Sequence, residues 1–356
     1  MTSKKVDSDP VIRYYSLYGK KLKSSFRLPM QELPAHDPDI IITTGRKLPK
    51  TLDHCPVPYG REWIAKADHH IVRFYDRDGH VFEFLLYKNG ARITLSQSWP
   101  IWEDSVFALV NMVMGAALTL QGRSMLHACS LVDDGRSFLI MGNSGAGKSS
   151  LSITLADEGL AAHSDDVAVI HSIYFREPAC EDGPYPSGES VPHQPAQPGP
   201  SSSPRPVLSS PNPVVAPGYP RIKVKPELLD TLGITGVTPI MIASVEGPEK
   251  ERWLDTDQFA GGTYRDPAPL GAVFILRKRA AAASSPRVER LAPMPAAVAL
   301  SSHIYGSEWF NPPGPRNLFL CTHIASSVPV YEVTLPDDLG LIRASARHLI
   351  EHHIRN

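Results

Sequence analysis

Up to about residue 98, the apolar positions of this chain alternate with polar ones at period two. His70-Ile71-Val72-Arg73-Phe74-Tyr75, His80-Val81-Phe82-Glu83-Phe84-Leu85-Leu86-Tyr87 and Ala91-Arg92-Ile93-Thr94-Leu95 read as strands. Asp-Arg-Asp-Gly and Lys-Asn-Gly turns separate them, so a meander is predicted. Tyr14 to Lys50, upstream, mixes prolines with short apolar stretches and carries a weaker signal. Val106 to Leu120 is almost continuously apolar, falls short of the roughly 20 residues a bilayer span requires, and contains Asn111. It predicts a buried helix begun by Asp104 or Ser105.

Beyond that helix, strand and helix patterns alternate to the end. A strand over 122–132, the turn Asp133-Asp134-Gly135 and a strand into Gly142 form a predicted hairpin. A helix follows with Leu151 and Leu155 on one face and Gly159 closing it, then a strand at Val167 to Ile170. Further strands are predicted at 219–224 and 270–276, with a short helix at 226–232 between them. A last helix is capped by Asp337 or Asp338 and presents Ile342, Ala346 and Leu349 together. Such alternation implies an α/β domain around a central sheet, over residues 99–356, preceded by a smaller β-rich N-terminal domain over 1–98. Between 178 and 217, prolines recur among serines and glycines, which predicts a mobile insertion and no core element.

Charge and cysteine usage narrow the function classes. A formal net charge of -1 gives no electrostatic reason to expect nucleic acid or an anionic membrane as partner. Cys55, Cys129, Cys180 and Cys321 are far apart with no C-x-x-C, indicating neither a zinc site nor a disulfide framework; a reducing cytoplasm fits best. The first residues, Met1-Thr2-Ser3-Lys4-Lys5, do not read as a signal peptide.

The stretch with a defined chemistry is Gly142-Asn143-Ser144-Gly145-Ala146-Gly147-Lys148-Ser149-Ser150, which matches G-x4-G-K-[ST] between a predicted strand and a predicted helix. Its glycines let successive backbone N–H groups turn toward phosphate oxygens. Lys148 then reaches the β- and γ-phosphates of ATP, and the Ser149 hydroxyl is placed for Mg²⁺. The start of the helix adds its positive dipole end beneath the same anion.

Such a site needs a carboxylate to help hold Mg²⁺ and another to take the attacking hydroxyl's proton. Three Asp-Asp pairs occur in the chain. Asp133-Asp134 is explained by its hairpin turn and Asp337-Asp338 by helix capping, whereas Asp165-Asp166 lies at a strand edge one helix after the loop. His127 precedes the loop on a predicted strand, where a core or edge histidine is the ordinary reading. Arg221 and Lys223 form a basic strand face and are candidate phosphate or substrate contacts. His348-Leu349-Ile350-Glu351-His352 matches an inverted zinc-protease motif, but a third ligand would be needed and a solvated helix face accounts for it.

Taken together, His127, the loop 142–149 and Asp165-Asp166 resemble the bacterial HPr kinase/phosphorylase family. The histidine stands fifteen positions before the first loop glycine, and the aspartates stand sixteen and seventeen after the loop serine. The likeness covers roughly residues 122–171, and Gly-Tyr-Pro-Arg-Ile-Lys at 218–223 resembles a later segment of the kinase-like branch. It implies a phosphate-loop kinase domain similar to phosphoenolpyruvate carboxykinase and ATP- and Mg²⁺-dependent phosphorylation of a serine hydroxyl. By position, Asp165 would be the base, Asp166 and Ser149 the Mg²⁺ ligands and Lys148 the phosphate ligand. His127 would orient Asp165 or the transferring group. Ser150 stands where family members proper carry an acidic residue, and the opening Tyr15-Ser16-Leu17-Tyr18-Gly19 looks more like divergent kinases of peptide natural-product pathways. Some of these phosphorylate the C-terminal serine of a lasso-peptide precursor. A peptide or protein bearing a serine hydroxyl is therefore the expected partner, and a homo-oligomer is compatible with the resemblance. A small-metabolite hydroxyl kinase and a non-catalytic ATP-dependent regulator are the alternatives.

Overall fold

The computed structural model describes residues 11–45, 61–75, 81–97, 102–176, 205–241, 252–281, 283–311 and 314–355. It is a mixed α/β structure with three sheets. The first sheet takes β1 (Arg13–Leu17), β2 (Lys20–Ser24), β3 (Ile40–Thr44), β4 (Arg61–Ala65), β5 (His69–Tyr75), β6 (Val81–Tyr87) and β7 (Arg92–Gln97), in the order β1-β2-β3-β7-β6-β5-β4. β5 to β7 form the antiparallel meander that the sequence predicts, β4 adds an unpredicted antiparallel strand to it, and β3 lies parallel to both β2 and β7. Tyr18 and Gly19 close the β1–β2 hairpin with φ of 54° and 70°, the backbone of a two-residue turn whose twist matches its strands. The predicted Asp-Arg-Asp-Gly turn at 76–79 lies outside the described residues.

The apolar run after residue 100 is one helical stretch: α1 (Trp102–Ala108), a π turn (Leu109–Val113) and α2 (Met114–Leu120). It starts at Trp102, ahead of the expected caps Asp104 and Ser105. Within the π turn the buried Asn111 donates its side-chain amide to the Phe107 carbonyl at 3.3 Å, and the Thr119 hydroxyl donates to the Gly115 carbonyl at 3.0 Å, so both polar side chains of the run find a backbone partner. Val106, Leu109, Val110, Val113 and Met114 share an apolar cluster with Tyr15, Leu22, Ile40 and Phe84 of the first sheet and with Met125 and Val167 near the loop. The helix is thus a common layer between the first sheet and the strands that carry the loop.

The second sheet holds the loop. Its strands are β8 (Arg123–Leu126), β9 (Ala128–Asp133), β10 (Arg136–Gly142), β11 (Ala161–Ser164), β12 (Ala168–Arg176), β13 (Arg205–Leu208) and β14 (Val214–Val215). A small third sheet contains β15 (Arg221–Val224), β16 (Ile240–Met241) and β17 (Arg252–Asp255). β18 (Ala268–Leu276), β19 (Arg287–Arg290) and β20 (Val330–Thr334) complete the second, with β18 parallel to β10 and β20 parallel to β18. The helices are α3 (Lys148–Asp157), α4 (Pro226–Thr231), α5 (Pro293–Ser301), α6 (Pro315–Ser327) and α7 (Ile342–Leu349).

Period-two alternation along β10 and β18 builds a sandwich. Phe138, Ile140, Ala272 and Phe274 pack in one cluster with Leu151 and Leu155 of α3 and Ala346 and Leu349 of α7. Leu139, Met141, Val273 and Ile275 pack in another with Ala296 and Leu300 of α5 and Leu320 and Ile324 of α6. Burial on both faces explains why these strands read as unbroken apolar runs. α3 is buried from Ser150 to Ala156, more completely than a two-residue stripe implies, because α7 covers the side away from the sheet.

Two sequence expectations change. The strand predicted over 122–132 is broken at His127: β8 pairs with β12, β9 pairs with β10 and β11, and the His127 N–H donates out of both ladders to the His303 carbonyl at 2.7 Å. The last part of the expected insertion is ordered. β13 lies antiparallel to β12 and β14 bridges β12 to β18, with Val215 and Ala216 buried. Proline in this stretch is tolerated because β13 is an edge strand, where Pro206 withholds no ladder donor the sheet needs. Residues 178–204 of that insertion lie outside the described residues.

Candidate active site

The loop between β10 and α3 follows the backbone its glycines permit. Gly142, Gly145 and Gly147 have φ of 151°, 79° and 105°. Gly147 is the N-cap of α3 in a left-handed conformation that favours glycine, and a Cβ there would lie 2.6 Å from the Arg279 guanidinium, which would have to move aside. Asn143, Ser144 and Gly145 are exposed at the crest, while Ala146 is buried beneath it. The Lys148 ammonium donates to the Gly142 carbonyl at 2.7 Å, folding the side chain across the loop mouth. Ser149 is half-buried in the first turn of α3, and the Ser150 side chain turns into the core.

The aspartate pair occupies the tight turn between β11 and β12. The Val167 N–H donates to the Asp165 carbonyl at 2.8 Å, which places Asp166 at the centre of a three-residue turn with φ of 67°. A non-glycine residue in this region is strained and is retained where the surroundings require it. The turn aims the two carboxylates differently. Asp165 points inward, where Oδ1 accepts the Cys129 thiol at 3.0 Å and Oδ2 accepts the Lys223 backbone N–H at 2.9 Å. Asp166 points outward, its Oδ1 lying 3.3 Å from His127 Nε2.

Those positions set the electrostatics. Burial, then the neighbouring Asp166 charge, pushes the Asp165 carboxyl up to about 6, against the opposing bonds from Lys223 and Cys129. Burial pushes His127 below its ordinary value, with Lys148 acting in the same direction and Asp166 against it. His303 is pushed down to about 4 by burial, with smaller contributions from Lys148, His127 and Arg277. Both histidines are therefore neutral at pH 7, and the cationic groups around the loop are lysine and arginine.

The first sheet also reaches the site. The Tyr18 N–H donates to the Pro217 carbonyl at 2.9 Å, and the Tyr18 ring is fully buried. Burial raises its hydroxyl pKa well above the ordinary value, and Tyr305, Asp166 and Asp165 add to the rise. Gly218 passes so close to Ser164 and Tyr18 that it leaves no room for a Cβ.

Of the residues singled out from sequence, the structure brings His127 against Asp166 and places Asp165 under Lys223, with Lys148 close enough to act on His127. His127 contacts Asp166, whereas the sequence reading paired it with Asp165 or the transferring group. Arg221 and Lys223 project their cations over aromatic rings: Arg221 lies 5.4 Å from the Trp253 centroid and 5.7 Å from that of Tyr219, and Lys223 lies 5.0 Å from that of Phe107. The Lys223 backbone N–H donates to Asp165. His303, Cys129 and Arg279 escaped sequence reasoning. A signal for Arg279 existed, since Arg277-Lys278-Arg279 follows directly on a buried apolar strand, and ligands of α/β sheets gather at the carboxyl ends of strands.

Among the described residues no group of three or more His, Cys, Asp or Glu side chains is placed to hold a metal alone. Mg²⁺ takes one or two protein oxygens and completes its shell with phosphates and water, so the half-buried Asp166 carboxylate and the Ser149 hydroxyl are of the right kind. No helix among the described residues is long and apolar enough to cross a membrane.

No protein-family model and no curated protein matches the chain. Among solved structures it is similar to the Hpr(Ser) kinase/phosphatase from Coxiella burnetii, at 15% identity and a TM-score of 0.28, over 65% of this chain and 97% of that one. A superposition this loose carries no weight for fold or chemistry, and the reading of the site rests on its own geometry.

Proposed function

We propose that this chain is an ATP- and Mg²⁺-dependent kinase that transfers the γ-phosphoryl group to a serine hydroxyl of a peptide, with the C-terminal serine of a lasso-peptide precursor as the substrate class the sequence resemblance favours. The observation that carries the proposal is Asp165, a carboxylate whose pKa is raised to about 6, set one helix after a glycine loop of phosphate-binding type. In this reading residues 99–356 are the phosphate-loop kinase domain and residues 1–98 a β-rich domain contributing Tyr18 to the site wall.

The chemistry follows from the placement. Backbone N–H groups of the loop and the Lys148 ammonium hold the β- and γ-phosphates, Lys148 exchanging its Gly142 carbonyl for phosphate oxygen. Ser149 and Asp166 would hold Mg²⁺, which supplies charge neutralisation on the phosphates when bound. Asp165 accepts the proton of the substrate hydroxyl as its oxygen forms a bond to the γ-phosphorus. The bond from that phosphorus to the bridging oxygen breaks, ADP leaves, and Asp165 returns its proton to solvent. A base with a pKa near 6 is ionised at pH 7 yet still basic enough to take a proton in the transition state. The neutral His127 ring, with its Nε2 directed at Asp166, fixes the outward carboxylate.

Mass spectrometry of serine-ended precursor peptides and of HPr, incubated with protein, Mg²⁺ and ATP, tests the proposal. A phosphate on the terminal serine of a precursor peptide is the expected product. Phosphorylation of small hydroxyl metabolites only would reassign the substrate, and ATP binding without any phosphorylated product would make the chain a nucleotide-dependent regulator.

A further inference from the structure

We infer that Arg279 is a phosphate ligand, reaching the bound nucleotide from beside the end of the loop at the start of α3; the inference rests on the nucleotide reading above and adds a residue to it. A cavity of about 490 Å³ lies beside the loop, walled on one side by residues 143–146 and on the other by Arg277, Lys278 and Arg279. That size suits a small polyanionic ligand. Leu276, Ser302, His303 and the exposed Asp337 complete its lining.

The basic wall is held rigidly. Arg277 N–H donates to the Val333 carbonyl at 2.8 Å, Ala280 N–H to that of Leu335 at 3.0 Å, and Asp337 N–H to that of Ala280 at 3.1 Å, continuing the β18–β20 pairing past the strand end. Its three cations are not equivalent. Arg277 is paired with Glu332 at 2.7 Å, and Lys278 is exposed. Arg279 is half-buried and lies against Gly147 at the start of α3, and its Nε is buried without a hydrogen-bond partner.

An unpaired buried guanidinium N–H is costly, and few native groups are left in that condition. No acidic side chain among the described residues is ion-paired with Arg279, and its guanidinium lies against the N-terminal turn of α3, whose free N–H groups are donors. A phosphate oxygen seated on that turn would accept from α3 N–H groups and the guanidinium together, so both sets of orphan donors would be met by one anion. Arginine suits the position because its planar fork can hold two phosphate oxygens at once, which lysine cannot do.

Fluorescence titration with a fluorescent ATP analogue, on wild type, Arg279→Gln, Arg279→Lys and Lys148→Ala, tests the assignment, alongside thermal unfolding without nucleotide. Arg279→Gln is expected to weaken binding about 10- to 100-fold, the range for a charge-assisted hydrogen bond, with an unfolding temperature no lower than wild type. Arg279→Lys, which keeps the charge but not the planar fork, should recover part of the loss. If Arg279→Gln binds like wild type while Lys148→Ala does not, the assignment is overturned and the nucleotide reading survives. A lower unfolding temperature with unchanged affinity would make Arg279 a prop for the loop and overturn the assignment equally. Wild type that binds no nucleotide would overturn the nucleotide reading itself.

Discussion

The Cys129 thiol donates to Asp165 Oδ1 at 3.0 Å from the strand that neighbours the turn. A donor to a carboxylate stabilises its charged form, so this contact holds the Asp165 pKa below the level that burial alone would impose. Cys129→Ala is therefore expected to move the acidic limb of the kcat/KM profile to higher pH, by up to about one unit. Cys129→Ser, which restores a donor, should keep the limb near its wild-type position; pH–rate profiles of the two variants check this.

The wild-type profile has its own expected shape. Asp165 must be ionised to take a proton, so activity should rise through about pH 6 and level off above it. Burial pushes His127 and His303 below the ordinary histidine value, so they should add no second limb above pH 7. Steady-state rates between pH 5 and 9 would show it.

The same shift has a cost in stability. The folded-state pKa of Asp165, about 6, lies above the unfolded value near 3.8, so the folded protein binds this proton more tightly. The resulting stabilisation is full below about pH 4 and is lost as pH rises through 6. Asp165→Asn should accordingly raise stability at pH 7.5 by about 1–3 kcal/mol relative to wild type and by little at pH 4, as read by urea unfolding. A strained or destabilised group at a catalytic position commonly shows this trade.

Gly147→Ala combines a left-handed backbone with a side chain aimed at the Arg279 guanidinium. A cost of about 1–2 kcal/mol is expected from the backbone alone. Displacement of Arg279 should add at least tenfold weaker nucleotide binding. Chemical denaturation and nucleotide titration measure the two effects separately.

Far from the loop mouth, Arg343 of α7 donates to Asp157 and Glu158 at the end of α3, each at 2.6 Å, and Arg347 donates to Glu158 at 2.8 Å. This partly buried network fixes the far end of α3, whose first turn forms the loop. Arg343→Ala should destabilise the fold by about 1–2 kcal/mol, with nucleotide affinity changed less than about threefold.

Much of this was legible because its causes are local. The glycines and lysine of the loop announce a backbone conformation, and the alternation along β5 to β7 or the face of Ile342, Ala346 and Leu349 follows from the period of a single element. The break at His127 was not legible, because it depends on a carbonyl 176 positions away, that of His303. Nor was the ordering of 205–217, since proline content argues against a core strand but not against an edge strand whose partner is known only from the fold. Asp165 and Asp166 look alike in sequence, and a turn centred on Asp166 sends one carboxylate to Cys129 and the other to His127. Arg279 reaches the loop only because β18 lies parallel to β10.

The most direct test of the central claim is transfer of labelled γ-phosphate from ATP to a serine-ended peptide, measured side by side for wild type and Asp165→Asn, with nucleotide binding measured on the same samples. Transfer by wild type, a loss of about 10²- to 10⁴-fold in the variant, and equal nucleotide affinity in both would be the outcome expected of a carboxylate base. Undiminished transfer by Asp165→Asn would contradict it.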